Sequence, residues 1–148
     1  MLFRSAALHH KRVEADVFTF DIEPVVIHAR RLLLEMIFGN LIDNAVKYGA
    51  AEPKVGVTVR LSENGRVLTQ ITDNGEGVAP HQRSRIFKMF YRGGSELERR
   101  QKGTGVGLYI VRTLVGLLKG QVQVKDRPDG PGGLFEVDLP GQIGRAHV

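Results

Sequence analysis

The chain has 148 residues, 42% of them hydrophobic, which suits one domain around a single buried core. Its 21 Lys and Arg outnumber 16 Asp and Glu for a formal charge of +5, but basic and acidic residues are mixed, as in Glu96, Glu98, Arg99, Arg100 and Lys102, and no basic stripe with interleaved aromatics suits a nucleic acid. The absence of cysteine excludes a disulfide framework, a thiolate metal site and a cysteine nucleophile, and no apolar run has the length of a membrane span or reads as a leader.

Residues 1–12, with His9, His10, Lys11 and Arg12, lack periodicity and read as a linker remnant, whereas Val13 to Phe20 alternates towards β and Val25 to His28 is a second short apolar run. From Arg31 to Tyr48 the stretch RLLLEMIFGNLIDNAVKY has no Pro and one Gly, and apolar positions cover most of its circumference, which predicts a mostly buried helix. Gly49 and Pro53 end it, and KVGVTVRL and RVLTQIT pair as a hairpin around Glu63, Asn64 and Gly65. Asp73 to Gly77 is a glycine-rich loop, and Gln82 to Phe90 is a predicted short helix with Ile86, Phe87 and Phe90 inward. Tyr91 to Lys102 is strongly charged and expected to be mobile. After GTGVG, Leu108, Val111, Leu114, Val115 and Leu118 recur at helical spacing as far as Gly120, and QVQVKD and GGLFEVDLP form a last pair of strands around a Pro/Gly turn. This order predicts the α/β class, as a two-layer sandwich with helices on one face of a mixed sheet. The closing QIGRAHV adds no pattern and resembles a translated sequencing adapter, so 13–140 is the expected domain and 141–148 an expected non-native tail.

Four short motifs carry chemistry in combination. In NLIDNAVKY, at about 100° per residue, Asn40, Asn44 and Lys47 fall within an arc of roughly 60° on one helix edge. An amide oxygen is a hard ligand for Mg²⁺ bridging phosphates, and the ammonium supplies a point charge for the same group; an ordinary polar helix edge is the plainer alternative for this motif alone. In DNGEG, Asp73 to Gly77, the glycines Gly75 and Gly77 let a ligand approach and the carboxylate can accept from an exocyclic amine, although Asp-Asn-Gly also makes a plain turn. In RIFKMFYRG, Phe87 and Phe90 are core anchors that hinge the charged segment, from which Arg92 could reach a phosphate. GTGVGL, Gly103 to Leu108, opens a helix, so its backbone amides and the helix N-terminus together make an anion cradle. No GKS or GKT follows and no GxGxxG stands in a βαβ unit, which argues against P-loop and dinucleotide folds.

Together the four motifs resemble the N, G1, F and G2 boxes of the superfamily that includes gyrase, Hsp90, MutL and histidine kinases, over residues 13–140. The F box and the phrase NLxxNAxKY are most similar to sensor histidine kinases of two-component systems. The resemblance implies a Bergerat-type ATP-binding fold and a kinase that uses ATP and Mg²⁺. It implies Asn44 as a Mg²⁺ ligand with Asn40 in support, Lys47 on phosphate, and Tyr48 lining the nucleotide. It further implies Asp73 as acceptor from the adenine amino group, with Gly75 and Gly77 shaping that pocket. Gly103, Thr104, Gly105, Val106, Gly107 and Leu108 would wrap the phosphates, and Arg92 is an added phosphate contact. The family often has Thr where Leu134 precedes Phe135, which puts a peripheral polar contact in doubt.

Hydrolysing members of the superfamily place Glu at the position of Asn40, and an amide cannot serve as that base, so transfer to an external nucleophile is favoured. In the family that nucleophile is a histidine on a separate helical hairpin. Too few residues precede Val13 to form one; His9 and His10 are followed by Lys11 and Arg12, and His28, His81 and His147 read as structural or surface residues. The implied partners are a histidine phosphoacceptor and dimerisation domain, in the parent chain or in trans, and through it a response regulator, with no nucleic acid and no membrane contact by this segment. The implied location is cytoplasmic, with a parent that could be anchored in the bacterial inner membrane. A nucleotide-regulated binding module and an anti-sigma-type serine kinase are the alternatives.

Overall fold

Alternation along the central hairpin sends Val55, Val57 and Val59 of one strand and Val67, Thr69 and Ile71 of the next to the same face, where all six are buried. A computed structural model describes residues 15–89, 91 and 105–143. In chain order the regular elements are β1 (Phe18–Ile22), β2 (Val25–Val26), α1 (Arg31–Tyr48), β3 (Val55–Leu61), β4 (Arg66–Thr72), α2 (Gly107–Leu117), β5 (Gln121–Asp126), β6 (Gly133–Pro140) and β7 (Gln142–Ile143). Five strands form one sheet in the order β1-β3-β4-β6-β5, with β1 parallel to β3 and the remaining neighbours antiparallel. The sheet is therefore mixed, and the fold is the predicted two-layer α/β sandwich.

The buried face of α1, Ile37, Phe38, Leu41, Ile42 and Ala45, joins Val111 and Val115 of α2 and the sheet residues Val124, Phe135, Val137 and Leu139 in one core. Each large apolar side chain so enclosed contributes about 1.5–3 kcal/mol. Burial of α1 is less complete than its composition predicts: Leu34 is only partly buried, full burial starts at Ile37, and Leu32 and Met36 in the first turns are exposed. Among the described residues no helix is long and apolar enough to cross a membrane.

Three segments depart from expectation. The strand expected over Val13 to Phe20 begins at Phe18, after a 3-10 turn at Ala15–Val17, and runs to Ile22, because its partner β3 offers register from Val55 to Val59; Val13 lies outside the described residues. The helix predicted over Gln82 to Phe90 is instead two single 3-10 turns, Pro80–Gln82 and Arg85–Phe87. Side-chain anchors hold both: Arg83 donates through Nε to the Val78 carbonyl at 3.0 Å and through Nη2 to Asp126 at 2.6 Å. Phe87 packs edge-on to Phe135 with centroids 6.1 Å apart; Phe90 lies outside the described residues. Only Val25–Val26 of the second apolar run is strand, and it pairs with Gln142–Ile143. That pairing carries regular structure into the segment set aside as a tail, and Gly141 N–H donates to the Gly65 carbonyl at 3.2 Å. Residues 144–148 lie outside the described residues.

Candidate nucleotide site

β4 ends at Thr72, and the next residue turns a carboxylate into the protein. Asp73 is 5% exposed. Its Oδ1 accepts the backbone N–H of Gly75 at 2.9 Å and of Gly133 at 3.2 Å, and its own N–H donates to the Gly133 carbonyl at 3.0 Å. Oδ2 has no donor among the described residues, and no sealed side-chain N or O among them lacks a partner, so Oδ2 opens onto solvent. Burial pushes the Asp73 carboxyl above the ordinary aspartate value, against the pull of the Gly75 and Gly133 amides and of Arg127. The result is an acceptor with one oxygen locked and one free, suited to an amine donor.

Three segments converge on this carboxylate because two glycines permit it. A Cβ added at Gly75 would collide with the Tyr48 carbonyl oxygen at the end of α1, and one at Gly132, where φ is 138°, would collide with the Asp73 carbonyl. Gly77 lies against the Gly132 carbonyl from the other side. The end of α1, the loop after β4 and the turn before β6 therefore touch at Asp73.

α1 supplies a polar edge that leads away from it. Asn40, Asn44 and Tyr48 stand on successive turns, with Lys47 beside them. Asn40 Nδ2 donates to the Met36 carbonyl at 2.6 Å, and its Oδ1 lies 3.0 Å from where a Cβ on Gly107 would stand, so the start of α2 packs on this edge. The Asn44 amide has no hydrogen-bond partner among the described residues. Lys47 Nζ is 4.0 Å from Asp43 Oδ2, and Tyr48 is 40% exposed. Val106, the N-cap of α2, contributes no side-chain cap, and Gly105 before it has φ 76°. Leu108 is partly buried against the core. The first N–H groups of α2 have no intrahelical acceptor, as at any helix start. Arg92, Gly103 and Thr104 lie outside the described residues.

The geometry thus joins Asn40 to Gly107 at one end of the edge and Tyr48 to Gly75 and Asp73 at the other, with Asn44 and Lys47 between. Two participants were not singled out from sequence: Gly132 and Gly133, read only as the start of the strand GGLFEVDLP. A Gly pair at the start of a strand is itself a sign of close backbone approach. Leu134 follows the amide that braces Asp73 and is 5% exposed. His28 and His81 are exposed, and His9, His10 and His147 lie outside the described residues.

Residues 29–143 match the family described as histidine kinase-, DNA gyrase B-, and HSP90-like ATPase. The chain belongs to that family. Sensor protein KdpD of Escherichia coli (strain K12) is 37% identical over 121 residues, which is 81% of this chain and 13% of KdpD. A structure of the mycobacterial sensor histidine kinase MprB has a TM-score of 0.84 at 27% identity, covering 96% of this chain and 93% of that one. Full-length ShkA in complex with AMPPNP has a TM-score of 0.76 at 31% identity, covering 98% of this chain and 30% of ShkA. The chain therefore has the Bergerat-type fold of the ATP-binding catalytic domains of sensor histidine kinases, and it spans a small part of full-length relatives such as KdpD and ShkA.

Proposed function

We propose that this domain binds MgATP and donates the γ-phosphate to a histidine on a separate dimerisation and phosphoacceptor domain, from which a response regulator takes it. The observation that carries this is the Asp73 carboxylate, locked through Oδ1 on Gly75 and Gly133 and open at Oδ2. The adenine amino group donates to Oδ2, the ring lies by Gly75, Gly77 and Tyr48, and the phosphates follow the α1 edge. Lys47 meets them with its ammonium and the start of α2 with its N–H groups, joined in this proposal by Arg92, Gly103 and Thr104. The unengaged amide of Asn44 fits Mg²⁺, with Asn40 supporting. Asn44 and Asn40 would hold the ion by amide oxygens, hard ligands of the kind Mg²⁺ takes together with the phosphates of its nucleotide. Bound there, the ion neutralises phosphate charge.

Asn40 takes no proton: it is an amide, already donating to Met36. The domain's own residues hold and orient the nucleotide, and the attacking group comes from elsewhere. A domain of this kind works in the cytoplasm, whether or not its parent is anchored in a membrane. The test is to mix the chain with MgATP and a purified histidine-bearing hairpin. Acid-labile phosphate should appear on the hairpin and not on the chain alone. Efficient labelling of the isolated chain, or an Asn44→Asp variant with full MgATP affinity, would end the proposal. Phosphoserine on a sigma-antagonist protein would point to the anti-sigma-type kinase, and binding without transfer to a nucleotide-regulated module.

A further inference from the structure

Asn74 follows Asp73 and reaches the opposite way. Its Oδ1 accepts the N–H of Ala50 at 3.1 Å and of Lys54 at 3.0 Å, and its Nδ2 donates to the Glu52 carbonyl at 3.0 Å. These three groups belong to the loop 49–54 between α1 and β3, which has no ladder of its own, so one side-chain amide supplies the pairing that a strand would otherwise give. Gly49 packs into the same corner: a Cβ there would lie 3.2 Å from Asn74 Oδ1. The loop starts directly after Tyr48, whose carbonyl is the atom Gly75 packs against. Asn74 therefore grips the loop that leaves α1 with its side chain while its own peptide links Asp73 to Gly75.

We propose that Asn74 is a positioning residue for the nucleotide site: by clamping the loop 49–54 it sets the separation between the base acceptor Asp73 and the phosphate-facing edge of α1 at Asn44 and Lys47. This rests on the ATP reading above. Ala50, Glu52 and Lys54 are exposed, so without the clamp their backbone groups turn to water and the fold survives. What is lost is the fixed distance between the two walls, and with it both affinity and the choice of base.

The experiment compares the unaltered chain with Asn74→Ala, Asn74→Asp and Ser62→Ala. Ser62 is the control, because its Oγ also ties a turn, accepting the Arg66 N–H at 3.1 Å, but at the far end of the β3–β4 hairpin. Asn74→Ala should weaken MgATP binding about ten-fold and lower the preference for ATP over GTP. Asn74→Asp keeps the acceptor for both N–H groups, though it turns a carboxylate oxygen towards the Glu52 carbonyl in place of the donor, so the loss should be smaller, about three-fold. Ser62→Ala should lower the thermal midpoint and leave both nucleotide readouts unchanged. Amide hydrogen exchange gives a readout without nucleotide: the Gly75 and Gly133 N–H groups, which brace Asp73, should exchange faster in Asn74→Ala and not in Ser62→Ala. Unchanged affinity, base preference and exchange in Asn74→Ala overturn the proposal, as does an equal nucleotide effect of Ser62→Ala. If the unaltered chain binds no ATP, the reading of the site fails, and exchange at Gly75 and Gly133 alone decides whether the clamp exists. Should Asn74→Ala not fold, Asn74→Asp carries the same readouts at the smaller size.

Discussion

Asp73, just past β4, and Glu136, in the middle of β6, are nearly sealed carboxylates on neighbouring parts of one sheet, 5% and 9% exposed, yet they are held in opposite ways. Glu136 lies on the sheet face away from the helices, where Oε2 accepts from Gln70 Nε2 at 2.8 Å and Oε1 from Gln123 Nε2 and Lys125 Nζ, each at 3.1 Å. Burial pushes its carboxyl up, but the Gln70, Lys125 and Gln123 donors outweigh it and hold the group below the ordinary glutamate value. Asp73 has backbone donors on one oxygen only, and there burial wins. A fully satisfied carboxylate is spent on the fold; a half-satisfied one costs stability and keeps an acceptor for a ligand.

The largest effect should come from Asp73→Asn. The amide oxygen can still take the Gly75 and Gly133 bonds, which turns an N–H₂ towards the place of the adenine amine, and ATP affinity should fall by about 3 kcal/mol, or roughly 100-fold, in a calorimetric titration. The same change should raise the thermal midpoint at neutral pH. The folded-state value of Asp73 is raised, so ionisation opposes folding: wild type and variant should agree below the ordinary aspartate value, and the wild type should fall behind as pH rises through the raised one. A variant less stable than wild type at neutral pH would break the contrast.

Glu136→Gln should do the reverse. It sets an amide against three donors inside a nearly closed site, and should cost about 2 kcal/mol of stability, with ATP affinity unchanged. Because the folded-state value of Glu136 is lowered, its contribution is present above the ordinary glutamate value and is lost as pH falls through the lowered one. Thermal scans of the two variants against wild type should therefore diverge at neutral pH and converge in acid. Parallel pH curves would show that the two sites do not differ as described.

How much of this is legible in the sequence depends on where the partners lie. The α1 edge is written within one element, since Asn40, Asn44 and Lys47 share a face by helical geometry alone. The glycines of DNGEG likewise announce a close approach without saying to what. The bracing of Asp73 by Gly133 and the grip of Asn74 on Ala50 and Lys54 join segments remote in sequence, and such bonds leave no period to read. Ile86, Phe87 and Phe90 have spacing a helix would accept, but the Arg83 and Phe87 anchors are tertiary and override it.

The smallest predicted effect concerns what holds Glu136 low. Lys125 is the one cation among its three donors, but the Lys side chain is 49% exposed against 11% for Glu136, so solvent screens the pair. Lys125→Met should cost less than 1 kcal/mol, shrinking further at high salt, while the Gln70 and Gln123 bonds persist. Stability measured with and without salt checks this. If Lys125→Met cost as much as Glu136→Gln, the nearby cation would govern the site and the amide donors would be secondary. The contrast with Asp73, where Arg127 pulls less than either backbone amide, would then be one of distance to the nearest positive charge, not of how many hydrogen bonds each carboxylate receives.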